Sequence, residues 1–283
     1  MNTIRSFITT TSAFILLSSV STTYAQTCHY EVYGLNRPVK SVRVITYEAF
    51  DKFGEIIKGE IQWEGNYVAE FNSVGNLTTQ RLYDSEGDLY EMRKYIYDGT
   101  NLIEDNVYDR EGNLICIWRY EYEGDYLIKE SFINTQVASD NTTEFRRNGK
   151  QILKIIKYFN GELISKQIVI RHDDSGLEWI EYDSQDRPIR IGYEKFDAEG
   201  RRVEVAEDDS IVNIEWNDNN LPSYLKGAGL YNKTIIAYTY DDRDVYSIEY
   251  EYDNNGNWIR QVIYDITNGI KLPLTVSERV ITY

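Results

Sequence analysis

The sequence predicts an all-β fold: an antiparallel β-meander of hairpin repeats, curled into an open roll, barrel or spiral sheet. Three observations predict it. A turn motif recurs along most of the chain. Between the turns, side-chain character alternates with period two. The composition favours strands, with 25 Tyr, 9 Phe and 5 Trp in 283 residues and only 4 Pro.

The first segment is not part of that fold. Arg5, the apolar run Phe7 to Val20, and Thr23 and Ala25 before a cut after Ala25 read as a secretory signal peptide over 1–25. The apolar run is shorter than the ~20 residues a membrane span needs. Ala25, Gln26 and Thr27 before Cys28 fit a lipobox poorly, so lipidation there is not expected. The mature chain, 26–283, is expected to be one repeat domain with no transmembrane segment, placed in the periplasm, on the cell surface or outside the cell. Export puts Cys28 and Cys116 in an oxidising compartment. They either pair as one disulfide, or Cys116 packs as a small apolar residue and Cys28 stays free.

The repeat begins near residue 50. Its core is an aromatic residue, then Asp or Asn, two variable positions, and Gly, Asp or Asn. Copies start at Phe50, Phe71, Tyr83, Tyr108, Tyr182, Phe196, Trp216 and Tyr252, with shorter variants at Trp63, Tyr97, Tyr122 and Tyr158. An Asp or Asn side chain bonds backbone two residues on, and the closing Gly or Asn accepts a positive φ. The aromatic residue ends one strand and can pair across the hairpin. Strand plus turn takes about a dozen residues, which predicts roughly twenty strands. Alternation is clear from Val245 to Tyr252, where Tyr246, Ile248, Tyr250 and Tyr252 share one face. From Leu114 to Tyr122, Cys116, Trp118 and Tyr120 share a face. Two stretches break the pattern: 134–148 reads as a long polar loop, and 221–233 as irregular.

Tyr108-Asp-Arg-Glu-Gly-Asn-Leu114, followed by Arg119-Tyr-Glu-Tyr122, resembles the YD repeat of the RHS family. Tyr252-Asp-Asn-Asn-Gly-Asn-Trp258, Glu278 to Tyr283 and Val39 to Tyr47 look like segments of small exported YD-repeat proteins of Gram-negative bacteria. The likeness spans most of 39–283 in degenerate form. It implies a β-sheet framework, and carbohydrate binding is the activity proposed for such repeats. The chain is short for a toxin-enclosing shell. It lacks the Pro- and Asp-rich cleavage motif of the RHS core and is expected to carry no toxin domain, so toxin delivery does not follow.

Chemistry is sparsely provided for. With 46 Asp+Glu against 30 Lys+Arg, the net charge is -16, which disfavours nucleic acid as a partner. Only 2 His and 2 Cys leave little for metal sites or nucleophile–base pairs. His172-Asp173-Asp174 reads as a turn after a strand rather than a phosphohydrolase centre. Carboxylates are so numerous that pairs arise by chance, and no two stand out in an apolar setting. Asp241, Asp242 and Asp244, and the loop Asp253 to Asn257, lack the bidentate Glu of a calcium loop. We therefore expect no catalytic residues, no cofactor and no metal. The expected role is binding or scaffolding, with a glycan as ligand and Trp258, Tyr250 and Tyr246 as the first candidates to stack on sugar rings. Most aromatic residues on a strand face are core, however. The alternatives are a periplasmic inhibitor or immunity protein that meets a basic toxin, and a glycoside-processing enzyme.

Overall fold

The computed structural model describes residues 30–208, 210–226, 229–231, 234–236 and 244–283. The signal segment, Cys28, Asp241 and Asp242 lie outside them. After a short 3-10 turn (Tyr30–Tyr33), the first strands are β1 (Ser41–Lys52), β2 (Glu55–Ile61), β3 (Asn66–Phe71), β4 (Leu77–Tyr83), β5 (Leu89–Asp98), β6 (Asn101–Asp109) and β7 (Leu114–Glu123). There follow β8 (Tyr126–Asn134), β9 (Ser139–Asn148), β10 (Gln151–Phe159), β11 (Glu162–Asp173), β12 (Gly176–Asp183), β13 (Pro188–Phe196) and β14 (Arg202–Glu207). The last are β15 (Ser210–Trp216), β16 (Pro222–Lys226), β17 (Gly229–Tyr231), β18 (Thr234–Ile236), β19 (Val245–Tyr252), β20 (Trp258–Asp265) and β21 (Leu272–Thr282).

The recurring motif is one turn built repeatedly. In Tyr83 to Asp88, the Asp84 carboxylate accepts the backbone N–H groups of Glu86 and Asp88, both at 2.9 Å. Gly87, at φ 87°, donates back to Asp84 O. Asn72, Asp109, Asp183, Asp197, Asn217 and Asp253 hold the N–H four residues on in the same way. The preceding aromatic residue sits at a bulge and pairs with the residue six positions on: Phe71 with Leu77, Tyr108 with Leu114, Tyr252 with Trp258. Of the shorter variants, those at Tyr97, Tyr122 and Tyr158 are two-residue hairpins that contain Gly99, Gly124 and Gly161.

Each strand pairs antiparallel with its neighbour, and the sheet then closes on itself. Ser41 to Glu48 of β1 pairs with β21, while Ser41 to Val44 pairs along the other edge with β3. The circuit β1, β3 to β16 and β19 to β21 is an 18-strand barrel. β2 pairs only with β1, and β17 with β18 forms a separate ribbon. Closure removes the edges that so long an open sheet would expose.

Two sequence expectations are corrected here. The polar stretch 134–148 is a tight turn followed by β9, which pairs with both β8 and β10. Its β-branched Thr142 and Thr143 suit a strand, and Phe145 supplies its buried anchor. In 221–233, Pro222–Lys226 is a strand rather than irregular chain.

The alternation sorts side chains into an inner and an outer wall. Val42, Leu77, Leu102, Leu127, Ile152, Leu177, Val212 and Leu225 are buried on the inner wall. Its hydrophobic clusters join neighbouring strands: β7 to β11 in one, β15 to β20 in another. A third is capped by the segment 30–40, with Leu35 and Val39 buried against Val42, Val44, Phe71 and Trp258. That segment straps one rim. Tyr30 N–H donates to Gly75 O at 2.9 Å, and Asn36 N–H to Asn257 Oδ1 at 2.7 Å. The outer wall instead carries cross-strand ion pairs: Glu104–Arg119, Glu121–Lys129, Lys195–Glu204 and Glu70–Arg81.

Candidate functional site: the inner wall of the barrel

A circular ring of 18 strands, spaced ~4.8 Å and tilted ~40°, would be ~35 Å between backbone walls. Barrels of this strand number enclose space rather than a solid core. The chemistry available to that space is set by the inward-facing residues.

Across β7 to β12, one row of directly opposed inner residues runs Tyr120, Glu130, Thr143, Lys157, Ser165 and Asp183. A second row, Gln167, Glu181 and Arg190, lies beside it. Glu181 ties the two together. It accepts from Ser165 Oγ at 2.5 Å and lies 3.6 Å from Lys157 Nζ and 3.9 Å from Arg190 Nε. Burial raises the Glu181 pKa, but Lys157, Ser165 and Arg190 outweigh it, and the carboxyl stays below its usual range.

Two other inner carboxylates have less help. Burial pushes Glu130 up to about 7, against the opposing pull of a Thr143 hydrogen bond and the Lys157 charge. Asp105 on β6 is pushed up to about 6 by burial, with Arg93 at 3.4 Å opposing the shift. Its Oδ1 is buried without a hydrogen-bond partner. At neutral pH, Glu130 is thus poised between donating and accepting a hydrogen bond, a property suited to hydroxyl groups. Glu194 pairs with Arg202 at 2.6 Å; burial still lifts its pKa.

Tyr95, Tyr97, Tyr120 and Tyr122 are half-buried on the same wall, with Trp118 buried on β7 and Trp179 buried farther round on β12. The Tyr97 and Tyr122 hydroxyls donate to Leu77 O and Leu102 O, both at 2.8 Å, which fixes the ring directions.

Trp258, Tyr250 and Tyr246 all lie on the inner wall, on β19 and β20, but only Trp258 and Tyr250 meet; Tyr246 belongs to a separate cluster with Val212, Leu225, Ile248 and Ile263. Trp258 is buried beneath the Arg279 guanidinium, 3.4 Å from the ring centroid. Tyr246 is buried, and its hydroxyl is pushed up to about 12 by burial and by Asp244 and Asp265. Tyr250 is half-buried, donates to Pro222 O at 2.9 Å and packs 6.2 Å from Trp258. These rings are engaged in packing, as are Tyr95, Tyr120 and Tyr122, each half-buried with one side against a neighbouring apolar cluster.

Cys116 is half-buried on the inner wall, and burial raises its thiol pKa. His172 lies at the end of β11, where its Nδ1 accepts the N–H of Ile152 at 2.9 Å. The Asp253 carboxylate is occupied by Asn255 N–H, Asn257 N–H and the Tyr283 hydroxyl. Asp105, Glu130 and Glu181 do not stand out from the other carboxylates in the sequence. The available signal was a charged residue at an inward position of each alternation, and that requires knowing which face is inward.

No family model matches this chain, and no curated protein matches it. Among solved structures, a porin-like protein from Bacteroides uniformis ATCC 8492 is similar at 12% identity. The match covers 86% of this chain and 96% of that one, with a TM-score of 0.41. A protein of unknown function from Bacteroides fragilis NCTC 9343 matches at 12% identity over 68% of this chain and 91% of its own, with a TM-score of 0.15.

Proposed function

We propose that this chain is an exported, non-catalytic β-barrel whose inner wall binds a polyhydroxylated ligand, a polysaccharide segment. The observation that carries the reading is the register of the inner wall between β5 and β12. Half-buried tyrosine rings there flank a row of carboxylate, hydroxyl, ammonium and amide groups. Sugars offer apolar ring faces to the former and hydroxyls to the latter. The likeness to RHS-type YD repeats points the same way.

The charged outer wall favours a barrel that stays out of the bilayer. An Arg or Lys facing lipid at the midplane costs ~2–4 kcal/mol, and charged residues recur around the outer wall. Residence in the periplasm, on the cell surface or in the medium fits that surface and the signal segment.

The test is calorimetry against cell-wall and capsular polysaccharides. Binding should fall at least tenfold in Tyr120→Ala and in Glu130→Gln. The reading fails if no polysaccharide binds, or if binding ignores both substitutions. The net charge of -16 supports a second reading, an inhibitor of a basic toxin. That reading expects tight, salt-sensitive binding to a protein that the inner-wall substitutions leave unchanged.

A further inference from the structure

The hairpin formed by the end of β1 and β2 carries a cost that its own fold does not repay. Its two-residue loop is Phe53-Gly54, with φ of 58° and 87°. Both residues are therefore left-handed, the geometry that selects Asn-Gly or Asp-Gly. A bulky residue there is strained. Phe53 is 98% exposed, so no internal contact offsets that strain. Strain held without structural return points to function.

The surroundings extend the apolar character. Phe50 and Ile57 face each other across the hairpin and are 53% and 40% exposed. A crevice lined by Phe50 and Leu272 joins them to the start of β21 and the turn before it, where Leu272 and Ile270 are 50% and 63% exposed. These residues form one apolar edge on the rim opposite the Tyr30–Tyr33 strap. Lys52 and Glu55, directly opposed beside the loop, balance in charge, whereas Glu48 and Asp51 make the crevice itself acidic. The free edge of β2 is a poor template for a partner strand, because a bulge falls between its Lys58 and Ile61 pairings, and bulges and lysines discourage strand addition.

We propose that this hairpin is an interfacial anchor that inserts Phe53 and Phe50 into a zwitterionic lipid surface, with Ile270 and Leu272 seated beside them. The charged barrel wall stays in water, and only the rim enters the interface. The net charge of -16 selects uncharged headgroup surfaces, because anionic lipid repels the molecule.

Flotation of the protein with phosphatidylcholine vesicles tests this. The protein should float with the vesicles, and adding phosphatidylglycerol at low salt should weaken binding several-fold. Phe53→Asn should cut binding at least tenfold while raising the melting temperature, since Asn suits the left-handed position. Phe53→Trp should keep binding. The proposal is overturned if the wild type stays with the aqueous fraction, as it would if the hairpin served a protein cleft. Equal flotation of Phe53→Asn, or binding that requires anionic lipid, would overturn it too.

Discussion

Glu130 shows how one buried carboxyl links stability to pH. Its folded pKa of about 7 lies above the ordinary value of 4.5 because burial disfavours the charge. Its stabilising contribution is therefore full below pH ~4.5 and disappears as pH rises through 7. Replacing it with Gln should stabilise the barrel by ~2 kcal/mol at pH 8 and leave it nearly unchanged at pH 4; chemical denaturation at both pH values measures this. His172 has the opposite sense. Burial and the nearby Arg147 and Lys150 hold its pKa below the usual value, and the neutral ring must accept the Ile152 N–H. Its contribution is present above the unfolded pKa of ~6.5 and lost as pH falls below it. His172→Ala should cost ~1 kcal/mol at pH 8, and progressively less as the pH falls through the lowered folded-state pKa.

At the scale of elements, the turns and the tight strand contacts make separate predictions. Asp84→Ala strips the side-chain acceptor from the N–H groups of Glu86 and Asp88, and thermal unfolding should register a loss of ~1 kcal/mol. Asp84→Asn should be nearly neutral, because Asn72 and Asn217 fill the same role elsewhere. Gly192 on β13 lies under Trp179, and an added Cβ would come within 2.3 Å of Trp179 Cζ2 and 2.8 Å of Ala206 O. Gly192→Ala should therefore cost ~1–3 kcal/mol through overpacking. If the substituted protein melted at the wild-type temperature, the ring would have to move aside.

For the whole molecule, closure is the decisive feature. β21 is the strand that joins the end of the meander to β1. Beside it, the Tyr283 hydroxyl donates to Asp253, Asn257 donates to Tyr283, and Arg37 stacks 4.2 Å from the Tyr283 ring centroid. Removing residues 272–283 would expose the long edges of β1 and β20 together. We expect the shortened chain to aggregate or become protease-sensitive throughout, rather than persist as a barrel with one strand fewer. A soluble, protease-resistant product would show that the sheet does not depend on closing.

How much was legible follows from which physics is local. The Asp-x-x-Gly turns, the period-two strands and their approximate number depend on residues within a dozen positions of one another, so the meander is written in short stretches of chain. So is the sharing of a face by aromatic residues such as Tyr246, Tyr250 and Tyr252. The polar strand β9 escaped because its alternation is carried by Thr and a single Phe, and its partners had to supply the rest. Long-range pairing is another matter. That β1 meets β21 more than two hundred positions later, and so which face of every strand points inward, emerges only in the assembled sheet. The register of adjacent strands sets Glu130, Thr143, Lys157 and Glu181 side by side, and closure makes the face they share the inner one. Pairing register across a closed ring depends on all the strands at once, and no local segment encodes it.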